Sequence, residues 1–153
     1  LFAQSLIKST ILTIANPQEV GDLVSLEVIS SSGKLTARLE SGKPILGIEI
    51  KATGNIGEEQ GSADLTDEND IEILEKEAQT LIACNIKDML VASQTTFDCD
   101  ILDFNDMLYK HDYSNFEKIK DNWNALYRSA DIGVQVQFEI SRTGIIKKPA
   151  YSN

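Results

Sequence analysis

The chain has 153 residues, 42% of them hydrophobic, and a formal net charge of -10. These totals indicate one folded domain over residues 1–153 with an apolar core, and they exclude a disordered chain. The excess of Asp and Glu over Lys and Arg, 24 against 14, repels phosphate and therefore argues against nucleic acid as a partner. No apolar run approaches the roughly 20 residues that span a bilayer, so we expect the chain itself to be soluble.

Strand patterns fill the first third of the chain. Residues 6–15, "LIKSTILTIA", are rich in Ile, Leu and Thr and end at Asn16-Pro17, which is a turn signal. Apolar and polar residues alternate in "LVSLEVIS" and again in "KLTARLE", and the Ser-Ser-Gly of residues 31–33 between them predicts a hairpin. Residues 45–56, "ILGIEIKATGNI", alternate once more and predict the clearest strand of this half.

A long helix is predicted after an acidic and polar segment. Apolar residues recur at helical spacing over residues 71–90, as expected for a helix with one buried face. Thr66 or Asp67 is a suitable N-cap, and the acidic first turn suits the positive end of the helix dipole.

Two shorter helices are predicted next. The first follows Asp100, and its apolar residues are Ile101, Phe104 and Leu108. The second begins at Ser114, because Ser114 and Glu117 have the spacing of a capping box. The apolar residues that line one face of this helix are Phe116, Ile119, Trp123, Leu126 and Tyr127.

The last predicted element is a strand within "DIGVQVQFEIS", residues 131–141, where alternation is strict. The residues expected to point inward are Ile132, Val134, Val136, Phe138 and Ile140. Those expected to point outward are Gln135, Gln137 and Glu139. Strands, then helices, then a strand predict an α+β domain, with a largely antiparallel or mixed sheet of about five strands and about three helices on one face.

No catalytic constellation emerges from the sequence. His111 is the only histidine, and its place at the end of a predicted helix offers no oriented partner for base chemistry. Cys84 lies within the long helix and is interpreted as a small buried apolar residue. Cys99 stands between Asp98 and Asp100, whose charges weaken it as a nucleophile. We therefore predict that the chain is not an enzyme and assign no catalytic or cofactor-binding residue.

The acidic stretch over residues 64–75 has oxygen-bearing side chains at calcium-loop positions. Asn69, however, stands where such a loop needs Gly, and no helix is predicted before it. Gly54 and Gly57 lack the lysine and the following helix of a phosphate loop, so a bend or bulge is the better interpretation. We assign no metal site and no cofactor.

Three stretches carry a resemblance to a known family: residues 21–44, residues 48–58 ("IEIKATGNIGE") and residues 118–149. They resemble the C-terminal domain of the C-subunit lipoproteins of bacterial spore germinant receptors, the Ger(x)C or GerAC-like family. That family shows a Lys-Ala-x-Gly-Asn-Ile-like strand exit, a Trp-bearing helix and a last strand ending in Arg-Thr-Gly. The matching residues are Lys51, Gly54, Asn55, Trp123, Arg142, Thr143 and Gly144.

The resemblance implies that residues 1–153 are the C-terminal domain of a longer protein. A lipid at the N-terminus of that protein, outside this chain, would hold it at the outer surface of the spore inner membrane. It would act there beside two membrane-embedded partners, the A and B subunits of the receptor, to pass on a nutrient signal. The family implies no enzyme and no cofactor, and it implies that the seven motif residues are structural or face a partner.

Two functions remain open at this point. The first is a module that works by protein contact with the other receptor subunits. The second is a germinant-binding domain, in which sheet and helices enclose an apolar pocket for an amino acid, nucleoside or sugar. For the ending of the chain, we expect Arg142 to lay its stem along the sheet and pair with a carboxylate, while Gly144 permits a turn.

Overall fold

The computed structural model describes residues 10–59, 65 and 67–141. Within these residues the chain forms four strands and four α-helices. In chain order they are β1 (Thr10–Ala15), β2 (Leu23–Glu40), β3 (Lys43–Glu59), α1 (Glu68–Thr95), α2 (Phe104–His111), α3 (Tyr113–Phe116), α4 (Trp123–Arg128) and β4 (Ile132–Ile140). A 3₁₀ turn over Lys120–Asn122 precedes α4.

The strands form one mixed sheet in the order β1-β2-β3-β4. The first two pairings are antiparallel and the pairing of β3 with β4 is parallel, because the four helices lie in the connection between these two strands. Strands β2 and β3 are joined at Ser41 and Gly42, whose φ angles are 51° and 76°. Positive φ at both central residues is typical of the tight type I′ hairpin turn. The predicted α+β class with a mixed sheet is confirmed.

The hairpin predicted at residues 31–33 is wrong. Strand β2 runs without a turn through Ser31, Ser32 and Gly33, which pair with Ala52, Lys51 and Ile50 of β3. The polar cluster does not turn the chain because an unbroken partner strand supplies its backbone hydrogen bonds. Four strands therefore replace the expected five.

A bulge at Ile29 explains how the 18-residue strand β2 keeps one face toward the core. The pairing register shifts between Val28 and Ser30, so Ile29 is an extra residue. Before it, even-numbered residues such as Leu26 point inward and are fully buried. After it, the odd-numbered residues from Ser31 to Leu39 take over the inward side.

A second register shift, opposite Ser25, leaves Gly57 within an irregularity of β3. This position confirms the predicted bulge for Gly57, and Gly54, which pairs with Val28 and Ile140, lies beside the bulge at Ile29 on the neighbouring strand. The strict alternation predicted for β4 is also confirmed, since Phe138 is 1% exposed and the outward Gln135, Gln137 and Glu139 are exposed.

Helix α1 covers the inward side of the sheet and begins as predicted. The carboxylate of Asp67 accepts a hydrogen bond from the backbone N–H of Asn69 at 2.9 Å, so Asp67 is the N-cap. Leu74 and Ala78 of this helix are fully buried. Because the acidic stretch folds into α1 from Glu68 onward, its carboxylates are distributed around a helix rather than gathered in a calcium loop.

The region after α1 differs from the prediction. Ile101 lies before α2 and is exposed rather than part of that helix. The single helix expected from Ser114 consists of α3, the 3₁₀ turn and α4. The capping box does not form, because the N-cap position of α3 is Asp112 and the Glu117 carboxylate binds the Lys120 ammonium instead. The apolar face survives because the breaks between the short helices keep its large side chains on the sheet side.

The buried side chains form two clusters. One lies around Leu26, Leu74 and Phe138 and the other around Ile48, Phe104 and Tyr127. Both clusters lie between the sheet and the helices, on the inward side of the strands. The opposite side of the sheet, here called the outward face, carries the alternate residues of all four strands.

Candidate functional site

Three of the predicted motif residues lie in β3 but point to opposite sides of it. Gly54 belongs to the inward set and is buried. A β-carbon on Gly54 would stand 2.7 Å from the carbonyl oxygen of Glu27 and 2.7 Å from Cζ of Phe138. Only glycine therefore lets the Phe138 ring and the neighbouring strand approach this closely.

Lys51 and Asn55 point to the outward face, whereas Gly54 points inward. The Lys51 side chain is exposed, and Asn55 is half-buried opposite Glu27 of β2. The Oδ1 atom of Asn55 is buried and has no hydrogen-bond partner among the described residues. An orphaned acceptor of this kind is uncommon in folded proteins.

Trp123 belongs to the second core cluster, far along the chain from β3. Its side chain is 5% exposed, and its indole N–H donates to Oδ2 of Asp100 at 3.2 Å. The same oxygen accepts the backbone N–H of Asn105 at 2.9 Å, near the start of α2. Trp123 thus joins the beginning of α4 to the beginning of α2, which is a structural role.

The remaining motif residues, Arg142, Thr143 and Gly144, lie outside the described residues, so their expected roles stay predictions. The described motif residues do not converge on one site. Gly54 and Trp123 serve the packing of separate core clusters, whereas Lys51 and Asn55 contribute to the outward face.

Tyr127 links the second cluster to helix α1. Its hydroxyl lies 2.6 Å from Oγ of Ser93, a fully buried residue that also donates to the carbonyl of Leu90. Burial raises the pKa of Tyr127 above the ordinary value of 10.0. The amide of Gln94 donates to the carbonyls of Tyr127 and Ala130, each at 2.8 Å, and so closes the end of α4.

The described cysteine and histidine side chains offer no assembled chemistry. His111 is the last residue of α2 and is exposed. The prediction that Cys84 is buried is wrong, because its position on α1 faces solvent, and Cys99 is also an exposed free thiol. Across residues 10–59, 65 and 67–141, no group of three His, Cys, Asp or Glu residues is arranged to hold a metal ion.

A cavity of about 430 Å³ lies between α1 and the sheet, where the two core clusters meet. Its walls include Val28 and Ala52 from the first cluster and Ile48 from the second. Side chains of α1 form the opposite wall; they are Ile82, Asn85, Ile86 and Met89. The core is therefore divided in two by an opening large enough for a small molecule.

Small residues on β2 and β3 create this cavity. Between Val28 and Leu35, the inward positions of β2 are Ser31 and Gly33, and Ser31 pairs with Ala52 of β3. Ser31 and Ala52 are both small, although Ile50, which pairs with Gly33, is a large side chain that lines the cavity. The sequence signal is the Ser-Ser-Gly stretch, which locally predicts a turn but in the structure leaves room inside the core.

The outward face combines polar and apolar residues. Its β3–β4 half carries charged and amide side chains, including Lys51, Gln135 and Gln137, all exposed. Its β1–β2 half carries Ile11 and Ile29, which are 70% and 47% exposed. The outward-pointing Leu23 and Ile45 are exposed as well. Ile11, which pairs with Glu27, and Ile29 lie near each other on this face, whereas Ile45, which pairs with Arg38, lies toward the other end of the sheet. Neighbouring exposed aliphatic side chains such as Ile11 and Ile29 are typical of contact surfaces.

None of the helices among the described residues is long and apolar enough to cross a membrane. Helix α1 has the length, but its first ten residues carry six charged side chains and Lys87 and Asp88 follow further along.

Residues 1–144 match the family described as spore germination B3/GerAC like, C-terminal. The chain belongs to this family. The resemblance seen in the three sequence stretches is therefore confirmed. The motif stretches at residues 48–58 and 118–144 are accordingly features of a family domain rather than of an isolated site.

Two relatives and one solved structure are similar to this chain. Spore germination protein KC of Bacillus subtilis (strain 168) is 26% identical over 129 residues, which are 84% of this chain and 31% of that protein. Spore germination protein B3 of the same organism is 21% identical over 129 residues, 84% of this chain and 34% of that protein. The crystal structure of the GerBC protein matches with a TM-score of 0.72 and 19% identity, over 88% of this chain and 41% of that one. The chain thus spans about a third of the length of these two relatives.

Proposed function

We propose that this chain is a non-catalytic, extracytoplasmic domain of a spore germinant receptor C subunit. It contributes to nutrient-triggered germination through contacts with the membrane-embedded A and B subunits. The full-length protein is held at the outer surface of the spore inner membrane by an N-terminal lipid outside residues 1–153. Family membership and the names of the relatives, both spore germination proteins, support this proposal.

The observation that carries the contact role is the outward face. The helices of the described chain pack on the other side of the sheet, and Ile11, Ile29, Lys51 and Gln137 stand exposed. A sheet face that is both accessible and partly aliphatic provides apolar area for affinity and amides for hydrogen bonding to a partner.

Deletion of this domain from the full-length C subunit tests the contact role. The tethered remainder should reach the membrane fraction but should recover less of the A and B subunits on co-purification. A version in which the domain is replaced by an unrelated domain of similar size controls for loss of bulk. Normal assembly of the deleted protein would show that the domain is not needed for contact.

The cavity favours a second candidate function, the binding of a small-molecule germinant. Its volume of about 430 Å³ lies within the roughly 300–1,000 Å³ that is usual for ligand sites. Its lining, however, has no charged side chain among the described residues. An amino acid zwitterion would lose its hydration there without gaining ionic partners, which is costly. This chemistry makes contact the better-supported role.

Calorimetric titration of the isolated domain with amino acids, nucleosides and sugars separates the two candidates. Micromolar binding of any of them would favour the germinant-binding function. Absence of heat, together with loss of assembly on deletion, is the result that the contact role predicts.

A further inference from the structure

We infer that the cavity between α1 and the sheet is a binding site for the hydrocarbon chain of an uncharged amphiphile, whose polar end lies at the cavity mouth. This inference rests on the second candidate function, small-molecule binding, and changes the ligand class from a polar nutrient to an apolar molecule. It does not depend on the contact role of the outward face.

The cavity walls are aliphatic on both sides. Nearly all of the exposed wall surface is carbon, supplied by Leu12, Leu35, Ile48, Ile50, Ile82 and Ile86. A water molecule held inside a protein needs about two to four polar partners. These walls offer almost none, so water inside the cavity is poorly held and an apolar ligand that displaces it gains affinity.

The polar side chains of the lining are few. They belong to Thr10, Ser31, Ser32 and Asn85. Asn85 is exposed and Met89 is 38% exposed, so the cavity opens toward solvent at these two residues of α1. Asn85 supplies both a donor and an acceptor, which matches a hydroxyl or amide headgroup. With no Lys or Arg among the described lining residues, a neutral headgroup fits better than an anionic one.

The position of Asn85 on α1 strengthens this assignment. Ile82 and Met89 are one turn away from it on the same helix, Ile86 is the next residue, and all three line the same cavity. A single amide within an otherwise apolar helix face fixes the orientation of a ligand that is apolar along most of its length.

A homologous series of primary alcohols, from about six to twelve carbons, is the probe. Each methylene buried in the cavity should raise affinity about fourfold until the cavity is full. Calorimetry on the purified domain should give one saturable site per chain, with the dissociation constant falling along the series and then levelling off.

Variants locate the binding on the chain. Ile82→Trp fills the cavity and should reduce the affinity for decanol by at least tenfold. Ile73→Trp is the matched control, because Ile73 lies on the same helix but is exposed and does not line the cavity. Met89→Trp, at the partly exposed mouth, is a second variant that leaves the deep core unchanged if Ile82→Trp does not fold.

The bound hydrocarbon chain could belong to a free amphiphile or to a membrane lipid. Phosphatidylcholine vesicles distinguish these two sources. Vesicle binding that Ile82→Trp abolishes assigns a lipid acyl chain, while binding of the free alcohols alone assigns a soluble amphiphile. Either result supports the hydrocarbon site. Affinity that does not increase with chain length, or that is equal in Ile82→Trp, Met89→Trp and wild type, would overturn it. If nutrients bind and alcohols do not, the ligand-binding function survives and this inference fails; if neither binds, both fail.

Discussion

The carboxylate of Glu75, on α1, accepts a hydrogen bond from the backbone N–H of Ile140 at a distance of 2.8 Å. Ile140 is the last residue of β4 and is 5% exposed. The bond joins α1 to the end of β4, across 65 residues of sequence. It satisfies a backbone donor that has little access to water.

Glu75→Ala should lower the free energy of unfolding by about 1.5–3 kcal/mol, because it leaves the Ile140 N–H without a charged acceptor. Glu72→Ala, an exposed position on the same helix, is the control and should change stability by less than about 0.5 kcal/mol. Urea unfolding followed by circular dichroism measures both. Equal effects would show that the bond to Ile140 contributes nothing.

Gly54→Ala should destabilise the domain by about 1–3 kcal/mol, because its β-carbon meets the rigid Glu27 carbonyl and the Phe138 ring at 2.7 Å. Gly47→Ala is the matched control in the same strand. Its β-carbon meets only the Oγ1 atom of Thr36 at 2.6 Å, and that side chain can rotate away. Thermal unfolding of the two variants compares them. A Gly54→Ala protein as stable as the Gly47→Ala protein would contradict the packing argument.

Ala52→Val should raise the free energy of unfolding by about 0.5–2 kcal/mol, because the added methyl groups extend into the cavity. Ala78→Val is the control, since Ala78 is fully buried on α1 away from the cavity. There the same change should overpack the core and cost about 1–3 kcal/mol. Chemical denaturation measures the change in the free energy of unfolding for both variants. A destabilised Ala52→Val protein would mean that the cavity cannot accept a larger side chain.

Tyr127 should make the domain sensitive to alkaline pH. Because burial raises the pKa of Tyr127 above 10.0, the unfolded chain loses this proton first as pH rises. Its contribution is fully present below pH 10.0 and is lost as pH rises through the higher folded pKa. Tyr127→Phe should therefore flatten the fall in stability above that pH, while costing about 0.5–1.5 kcal/mol at neutral pH through the lost bond to Ser93.

Tyr113→Phe provides the comparison for this pH experiment. The Glu117 carboxylate raises the pKa of Tyr113, but this side chain is 53% exposed and solvent screens the interaction. Its replacement should change the alkaline slope less than Tyr127→Phe does. Urea titrations at a series of pH values would refute the assignment if the two variants gave the same slope.

The sequence predicted those elements whose pattern reports burial directly. Strand β4 alternates strictly because only one of its faces meets the core, and α1 has an apolar stripe with Asp67 as its cap. For these elements local pattern and tertiary packing agree, so either one suffices to find them.

The errors arose where local signals and tertiary pairing disagree. Ser31, Ser32 and Gly33 have turn chemistry, but pairing with β3 holds them extended. Two of these residues, Ser31 and Gly33, point inward and are small, which leaves space for the cavity. The hydrophobic periodicity does not predict such a space, because it results from missing side-chain volume. The breaks that divide the helix expected after Ser114 are likewise set by packing on Phe104 and Trp123 rather than by a Gly or Pro.

The outward face could be anticipated only in part. The alternation in β4 predicted that Gln135 and Gln137 point outward. Ile11 and Ile29 are exposed, but isoleucine is a residue type that is usually buried, so the sequence did not predict their exposure. Their exposure follows from the register of β1 against β2 and from the bulge at Ile29, which depend on long-range pairing.

The central claim, that the outward face contacts the other receptor subunits, is tested most directly by co-purification with a full-length C subunit that carries Ile11→Asp and Ile29→Asp. Ile73→Asp, an exposed isoleucine on the helical side, is the control, and circular dichroism of the isolated domain establishes that all variants fold. The claim predicts that the double variant recovers several-fold less A and B subunit than wild type and the control. Undiminished recovery with a folded double variant would contradict it.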